Sequence, residues 1–320
     1  MGAYAVRRAL LIPVTVILAS MLVFLLVRFI PGDIVDLIQA QMAANGGGDT
    51  IDRAAVEKAL GLDVPVYVQY ARWASRIVLH GNMGVSLRTN LPITPEIMRR
   101  IPITFELSLM ATVIGAVIAI PIGLYSAMRQ DTITDYILRS GAILLMSVPS
   151  FWIGAMVVLY PSIWWGWTPP MEYIYFNKDP IGNLSMMIIP AMVLGSMGTG
   201  GTVRMMRTLM LETLRQDYIR TAWSKGLTER IIVFRHAMKN AMIPIVTMYG
   251  GVIPGLLGGS VIMEQIFNLP GMGRLMLDAL QNRDYPIISA INLMMAIIII
   301  CNNLLIDMTY GWLDPRIHFQ

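Results

Sequence analysis

The residues that most often carry out chemistry are few in this chain and lie far apart. Its three histidines, His80, His236 and His318, fall in different segments without the spacing of a metal site. No serine, histidine and carboxylate form a pattern that predicts a nucleophile with its base. Residues 195–201 are glycine-rich but lack the Gly-Lys-Ser/Thr ending of a phosphate-binding loop. We therefore expect no catalytic site, no metal or cofactor, and no ATP binding by this chain.

The composition is typical of a membrane protein. Hydrophobic residues make up 56% of the 320 residues and charged residues only 14%, with a mean hydropathy of +0.62. An average soluble chain has about 25% charged residues, so this chain has too few to cover its surface in water. Its single cysteine, Cys301, cannot form a disulfide within the chain. A net charge of +4 does not by itself imply nucleic acid, and we expect no such partner.

Six apolar windows are long enough to cross a lipid bilayer as helices, since about 20 residues span its hydrocarbon core. They cover residues 9–30, 103–128, 137–160, 186–206, 242–263 and 287–308. The first window follows Arg7 and Arg8 as in a signal peptide, but it is too long and no small-residue cleavage site follows it. We interpret it as a retained transmembrane helix, which predicts an all-α integral membrane fold with six spans.

Lysine and arginine in the loops predict the orientation of these spans. With the N-terminus inside, the inner segments hold 11 such residues and the outer segments hold 10. Seven of the ten lie in the long 31–102 loop, which can translocate regardless of charge, and without them the ratio is 11 to 3. Arg99 and Arg100, close to the second window, favour the opposite orientation. We predict a multi-pass protein of the inner (cytoplasmic) membrane with both termini cytoplasmic.

The 31–102 segment carries the pattern of outer helices rather than of a linker. Asp52 can cap a helix over residues 53–60 that ends at Gly61, after a flexible glycine spacer at residues 46–48. Pro65 suits the first turn of a second helix. Four apolar residues of that helix share one face: Val66, Tyr70, Trp73 and Ile77. We expect these helices to lie on the outer membrane surface, to pack on the bundle, or to contact a ligand.

The inner segment 207–241 is rich in cations and has the pattern of a helix, a glycine and a second helix. Asp217 can cap a helix that runs to Lys225, and Gly226 can end it in the left-handed conformation. Thr228 can begin the next helix. Four residues of that helix are predicted to share one side: Ile231, Phe234, Arg235 and Met238. The segment is predicted to form a compact knob on the cytoplasmic side, although such a loop can also be a plain solvated connection.

The sequence of this knob resembles the EAA loop of ABC importer permeases, in the version of the dipeptide/oligopeptide/nickel permease family. The resemblance rests on DYIRTAWSKGL at residues 217–227 and RHAMKN at residues 235–240. The general motif begins Glu-Ala-Ala, and this chain has Arg220-Thr221-Ala222 with Gly226 in the glycine position. The missing glutamate departs from the general motif but fits the peptide-type branch.

Other segments resemble the same family in the same order along most of the chain. They include Pro31-Gly32-Asp33, Gly61-Leu62-Asp63, residues 81–86, Glu264 to Gly273, Arg283-Asp284-Tyr285-Pro286 and Asp314-Pro315-Arg316. The long first outer loop makes the chain similar to the first of the two membrane subunits. The resemblance implies the type I permease fold. It divides the chain into an N-terminal part (1–96), a transmembrane domain (97–309) and a cytoplasmic tail (310–320).

The resemblance also implies partners and a coupling site. We expect a second homologous permease in a heterodimer, two cytoplasmic ABC ATPases that hydrolyse ATP in place of this chain, and an outer-face substrate-binding protein. The knob would then be the coupling loop that contacts the ATPase. Its expected residues are Asp217, Tyr218, Arg220, Thr221, Ala222, Lys225, Gly226, Leu227, His236 and Asn240.

Small and polar residues in the last two spans are further candidates. Gly251, Gly255 and Gly259 recur at every fourth position, a spacing that lets helices approach closely in lipid or that lines a translocation path. The polar groups Glu264, Asn302, Asn303 and Asp307 lie at membrane depth, where an unpaired polar group is costly. We expect them to pair across helices or to line water, with Glu264 and Asp307 as candidates for gating or partner contacts.

The function that the resemblance implies is ATP-driven import by alternating access, with di- and oligopeptides as the leading substrates. Nickel and oligosaccharides are alternatives within the family. An ion-coupled secondary transporter would need inverted repeats and ionisable groups near the bilayer midplane, and neither is evident. An intramembrane hydrolase would need a nucleophile and a base at membrane depth.

Overall fold

The computed structural model describes residues 2–28 and 63–313, and the named elements in these ranges are helices. We number them α1 Gly2–Arg28, α2 Val66–His80, α3 Ile93–Met128, α4 Ile133–Ser147, α5 Ser150–Trp165, α6 Pro180–Leu214, α7 Asp217–Ser224, α8 Glu229–Ile231, α9 Met238–Ile266, α10 Met272–Gln281 and α11 Tyr285–Leu313. A π-helical turn, Ile232–Ala237, joins α8 to α9. Val85 and Pro92 form an isolated antiparallel bridge.

The chain divides into two compact units. The first unit holds residues 1–100 and 275–301, and the second holds residues 101–274 and 302–320. In the first unit, α2 packs against α1 through aromatic rings, with Phe24 lying 5.5 Å from Tyr70 and 5.6 Å from Trp73 between ring centroids. The hydroxyl groups of Ser20 and Tyr70 share a hydrogen bond of 2.8 Å.

The predicted helix after Pro65 is confirmed, although Pro65 precedes its first turn. Pro65 is the N-cap of α2, and Gly81 ends the helix in the left-handed conformation at φ 60°. Tyr70 and Trp73 form the packed face as predicted, but Val66 is 45% exposed and lies outside it. The predicted helix over 53–60 with Asp52 and Gly61, and the glycine spacer, lie outside the described residues.

The core of the second unit is built where α3 and α6 approach each other closely. Leu107, Met187 and Leu194 are fully buried there. The helices meet at Gly195, where an added Cβ would lie 2.5 Å from the backbone oxygen of Ala111. Only a residue without a side chain allows this approach, so α3 and α6 are positioned as one packed pair.

Four helical runs of the described residues are long and apolar enough to cross a membrane: α3, α6, Glu229–Gly258 and Tyr285–Ile306. They contain the second, fourth and most of the fifth and sixth predicted windows. The first window falls in α1, whose shorter apolar stretch is Leu10–Leu26. Counting α4 and α5 as one bent span gives five among the described residues, against six predicted spans.

The prediction of one continuous helix over 137–160 is wrong. The third window is divided between α4 and α5, whose axes are bent by 90°. Between them Val148 is extended, at φ −94° and ψ 123°, and Pro149 is the N-cap of α5. Proline has no N–H to donate and disfavours the helical conformation of the residue before it, which explains the break.

Candidate functional site

The predicted knob covers residues 207–241, but residues 207–214 belong to α6, which ends at Leu214. The first helix of the knob is α7. The prediction that Asp217 caps this helix is wrong, because Gln216 is the N-cap and no side chain there accepts a capping hydrogen bond. Asp217 instead lies in the first turn, where its negative charge favours the positive end of the helix dipole. It pairs with Arg220 at 3.4 Å, and both side chains are largely exposed.

The predicted turn at Gly226 is confirmed. Gly226 has φ +72°, and its N–H donates to the carbonyl oxygen of Trp223 at 2.9 Å. The N–H of Leu227 reaches back to the carbonyl oxygen of Ala222 at 3.4 Å, which closes the end of α7. Thr228 is the N-cap of α8, as predicted, although its side chain makes no capping hydrogen bond. A residue with a Cβ would be strained at position 226.

Two apolar residues of α7 fix the knob to the rest of the second unit. Ile219 and Ala222 lie three positions apart, on one face of the helix, and are buried. They belong to an apolar cluster with Met206 and Met210 of α6 and with Ile232 of the π-helical turn. Because α7 has only eight residues, this buried face rather than intrinsic helix propensity stabilises it.

A polar contact joins the knob to the beginning of α9. The side-chain amide of Asn240 donates to the hydroxyl oxygen of Tyr218 at 2.7 Å. The two predicted site residues are thus brought together across 22 positions of the chain. His236 lies in the π-helical turn and is half-buried. The contact therefore connects α7 directly to the base of a long helix.

The π-helical turn changes the face that the second helix presents. Ile231, Phe234 and Arg235 are exposed together, as predicted. Met238 is half-buried and packs against the apolar cluster instead, so its predicted place on that side is wrong. A π turn has more residues per turn than an α-helix, which rotates the residues after it relative to a 3.6-residue pattern.

The exposed face of the knob combines large apolar side chains with cations. Tyr218 is 41% exposed, Trp223 49% and Phe234 55%. The exposed side chains of this face belong to Tyr218, Arg220, Thr221, Trp223, Lys225 and Phe234, and we call them the coupling surface after the role proposed for them below. Trp223 and Phe234 were not among the predicted site residues. The signal was present in the sequence, because an aromatic residue beside the buried positions 219 and 222 of a short amphipathic helix is directed away from the core.

An ion pair that the sequence did not reveal lies beside the knob. Asp135, fully buried in the first turn of α4, accepts hydrogen bonds from the guanidinium of Arg207 on α6 at 3.1 and 2.9 Å. It also accepts from the hydroxyl of Ser126 on α3 and from the N–H of Asp131. The carboxylate thus ties the ends of three helices together, and Arg207 is a structural residue rather than a free loop cation.

The side chain of Glu264 is held by hydrogen bonds from three other residues, which gives it a structural role. Its side chain is fully buried, and Oε1 accepts from the hydroxyls of Thr104 at 2.6 Å and Ser260 at 3.2 Å. Its Oε2 accepts from the N–H of Arg274 at 2.9 Å. An added Cβ at Gly271 would lie 2.3 Å from the carboxyl carbon, so glycine is required there. The carboxylate fastens the turn between α9 and α10 onto α3.

A second group of polar side chains fixes the loop between α5 and α6. The Tyr173 hydroxyl donates to Glu106 at 3.0 Å and accepts from the side-chain amide of Asn183 at 3.2 Å. Burial, and then the negative charge of Glu106, raise the pKa of the Tyr173 phenol. Tyr173 therefore stays protonated and acts as a hydrogen-bond donor that fixes the loop before α6.

Two glycines of the predicted stripe, Gly251 and Gly255, meet no other helix within the part of the chain that the structure describes. Apart from their chain neighbours and the nearby backbone of their own helix, no described atom lies within 4 Å of a Cβ placed at either position. The close approach occurs at Gly250, where a Cβ would lie 2.4 Å from Ile306, and where the backbone oxygen accepts from the Asn302 side chain at 2.9 Å. Asn303 is exposed. The surroundings of Gly259 and Asp307 lie outside the described residues.

Comparison with known proteins identifies the family. Residues 119–319 match the family described as binding-protein-dependent transport system inner membrane component, and residues 1–108 match the model of its N-terminal part. The chain belongs to this family. It is therefore a multi-pass inner membrane permease component, and the family implies ATPase and substrate-binding partners in general.

Curated relatives match over nearly their whole length. The oligopeptide transport system permease protein AppB of Bacillus subtilis (strain 168) is 35% identical and covers 100% of both chains. A putative peptide transport system permease protein of Brucella suis is 39% identical over 98% of both chains. The dipeptide transport system permease protein DppB of Escherichia coli (strain K12) is 36% identical over 99% of both chains. The predicted permease family is confirmed.

Solved structures support the same fold. The MetNI methionine ABC transporter aligns with a TM-score of 0.55 at 15% identity, over 68% of this chain and 96% of that chain. An amino acid ABC transporter aligns with a TM-score of 0.51 at 13% identity, over 68% and 94%. The predicted all-α ABC permease fold is confirmed, and none of these matches supports an ion-coupled secondary transporter.

Proposed function

We propose that this chain is one of two permeases of an ATP-driven importer of di- and oligopeptides. The observation that carries the substrate class is the full-length similarity to permeases named for peptide, dipeptide and oligopeptide transport. A second homologous permease completes the membrane core as a heterodimer. Two separate cytoplasmic ATPases supply the energy, and an outer-face binding protein delivers the peptide. Nickel or an oligosaccharide is the cargo if the binding protein selects it.

The coupling surface is the proposed contact with one ATPase. Trp223 and Phe234 expose about half of their side chains, 49% and 55%, while Ile219 and Ala222 of the same knob are buried. Buried aromatic anchors surrounded by polar groups carry most of the energy of protein interfaces. Arg220 and Lys225 lie beside them and are suited to acidic groups of the partner. The surface thus has a defined shape, an apolar centre and a charged rim.

Movement of the ATPase reaches the spans through the fixed connections of the knob. The buried Ile219 and Ala222 transmit force to α6, and the hydrogen bond between Tyr218 and Asn240 transmits it to α9. Packed helices shift as rigid bodies because a close-packed interior deforms little. Alternating access then follows from rocking of α6 and α9 as the ATPases open and close.

Other predicted features take their place in the same proposal. Both termini are cytoplasmic, and the chain divides into parts 1–96, 97–309 and 310–320. The stripe of Gly251, Gly255 and Gly259 faces the second permease or the path between the permeases, which is supported by the open space beside the first two glycines. Asn303 and Asp307 are proposed to contribute to the same helix packing or translocation path.

Copurification tests the importer. The chain is expressed with its neighbouring open reading frames, purified through an affinity tag, and assayed for bound ATPase and for ATP-dependent peptide uptake in proteoliposomes. Trp223→Ala is expected to reduce ATPase retention at least about tenfold, as for an interface aromatic worth more than about 1.4 kcal/mol. Trp165→Ala is the matched control, because Trp165 is also exposed but lies at the end of α5.

Two results contradict the proposal. The proposal that the chain is part of an ATP-driven importer is refuted if no ATPase copurifies with the wild-type chain. The proposal that the coupling surface contacts the ATPase is refuted if Trp223→Ala retains the ATPase as well as Trp165→Ala does. Gly226→Val adds a test of the turn, since a β-branched residue is strained at φ +72° and should uncouple uptake from ATP hydrolysis.

A further inference from the structure

A groove in the first unit is not used by the coupling mechanism. It lies between the segment 86–100, which enters α3, and the segment 275–287, which runs from α10 into α11. Its volume is about 550 Å³, within the range of small-molecule sites. The lining includes Arg88, Arg99 and Asp278 beside apolar residues such as Leu91 and Leu275. With the proposed orientation, the groove opens on the outer face.

One wall of the groove is a turn held in place by a buried carboxylate. Asp284 is 3% exposed and accepts hydrogen bonds from the Ser86 hydroxyl and from the N–H of Leu87. The Ser86 oxygen in turn accepts from the N–H groups of Arg88 and Thr89, at 3.2 and 3.1 Å. The turn therefore presents the Arg88 side chain on a fixed backbone, as a binding site requires.

Some charged side chains of the groove are paired with each other, and others have hydrogen-bonding groups left for a ligand. Glu96 and Arg100 neutralise each other through an ion pair of 2.5 Å. Arg88 uses one guanidinium nitrogen to donate to Asn282 at 3.2 Å, which leaves other N–H donors for a ligand. Neither Arg99 nor the Asp278 carboxylate has a side-chain partner among the described residues. Two cations and one anion thus line the cavity with hydrogen-bonding capacity to spare.

We propose that this groove binds a short peptide with free termini as it passes from the binding protein to the membrane path. Arg88 and Arg99 bind the α-carboxylate, because guanidinium groups pair with carboxylates through strong charge-assisted hydrogen bonds. Asp278 binds the α-ammonium group. The apolar wall formed by Leu91 and Leu275 receives a side chain. The inference rests on the proposed peptide import and adds a selective site on the permease itself.

Ligand chemistry tests the groove without relying on any variant. The complete complex without its binding protein is placed in lipid nanodiscs, and binding of radiolabelled alanylphenylalanine is measured by equilibrium dialysis. We expect saturable binding of the free dipeptide. Its C-terminal amide should bind at least about tenfold more weakly, since it lacks the negative charge that pairs with the two guanidinium groups. The N-acetylated dipeptide should also bind more weakly.

Single substitutions test which charged side chain of the groove binds which end of the peptide. Arg99→Gln should weaken binding of the free acid but not of the amide, and Asp278→Asn should weaken binding of the free amine but not of the acetylated form. Arg72→Gln, an exposed arginine of α2 outside the groove, is the matched control and should leave binding unchanged. Retention of the ATPase by each purified variant shows that the complex is intact.

The proposal is overturned if the wild-type complex shows no saturable binding, or if the amide binds as tightly as the free acid. It is also overturned if Arg99→Gln weakens binding of the free dipeptide and of its C-terminal amide equally. A variant Arg99→Gln that weakens only the association of the binding protein would overturn it as well, because the groove would then be a protein-docking surface. ATP-dependent uptake with the binding protein present separates the two hypotheses. Uptake without binding in the groove refutes the groove alone, whereas a complex that imports no peptide refutes the proposed function.

Discussion

Replacing Arg207 by methionine should destabilise the chain far more than a surface substitution does. Methionine keeps an unbranched apolar stem of similar reach but removes the guanidinium, which leaves the carboxylate of Asp135 buried without its cation. Asp135 is fully buried, and the Arg207 side chain is only 16% exposed. The change therefore acts on a desolvated pair rather than on a screened surface charge.

The magnitude follows from the geometry of the pair. At the N–O distance of 2.9 Å, and with an effective dielectric constant of about 20, the Coulomb attraction is about 6 kcal/mol. Part of this attraction offsets the cost of desolvating both groups. Loss of one partner of a buried pair costs about 3–5 kcal/mol. The Ser126 hydroxyl and the Asp131 N–H remain as donors to the carboxylate, so we expect a loss near the lower value.

The assay is SDS titration of the purified chain in mixed micelles, followed by tryptophan fluorescence, which gives the free energy of unfolding. Arg204→Met is the matched control, because Arg204 lies one turn earlier on α6 and is exposed. It should change stability by less than about 0.5 kcal/mol. Adding Asp135→Asn to Arg207→Met removes the unpaired charge and should recover at least half of the loss.

Two outcomes would refute this reasoning. The first is that Arg207→Met is no more destabilising than Arg204→Met. The second is that the effects of the Asp135 and Arg207 substitutions are additive, since two residues that form a buried pair must show a coupling energy. Either result would mean that Asp135 does not depend on Arg207 for its charge.

Three further predictions concern other contacts. Gly195→Ala should cost about 1–3 kcal/mol, because the methyl group collides with α3. Gly198→Ala should be neutral or stabilising in the same SDS titration, because no described atom beyond the nearby backbone of α6 would lie within 4 Å of its methyl group. Glu264→Gln should lower the thermal stability in detergent, since an amide cannot accept at both oxygen positions and leaves a buried donor unpaired at about 1–3 kcal/mol; an unchanged midpoint would contradict this. Tyr218→Phe should reduce peptide uptake per ATP hydrolysed about twofold or more, as expected from losing a hydrogen bond of about 0.5–1.5 kcal/mol to Asn240, and equal coupling ratios would count against the mechanical link.

Features governed by local rules could be predicted from the sequence. Gly226 is left-handed and Thr228 begins a helix because each follows from its nearest neighbours. The aromatic face of α2 follows from the helical period. Pro149 lies inside the third apolar window and could have indicated a break. Because that window is long enough for one span, a continuous helix was predicted instead. Hydropathy measures the extent of an apolar segment but not its direction.

Contacts between distant segments could not be predicted in the same way. Asp135 and Arg207 are 72 positions apart, and each is individually typical of a helix end or an inner loop. Glu264 resembled a candidate for gating because a carboxylate at membrane depth is costly. The cost of burying this carboxylate is offset by hydrogen bonds from Thr104, 160 positions away, and from a turn whose shape depends on Gly271. Pairing of this kind depends on the fold, which one sequence does not specify residue by residue.

The placement of the π-helical turn bears on the proposed coupling between the knob and the spans. Residues Ile232 and Val233 of this turn are buried in the cluster that holds α7, and the turn continues directly into α9. Such turns are frequent at functional sites, because the extra residue shifts side chains without ending the helix. Without it, Phe234 and Met238 would lie on one side, and either the aromatic ring would be withdrawn from the coupling surface or the methionine would leave the core. The turn therefore allows one helical segment both to expose an aromatic side chain and to remain fixed in the apolar cluster. The proposed transmission of force from an ATPase to a membrane span requires both properties.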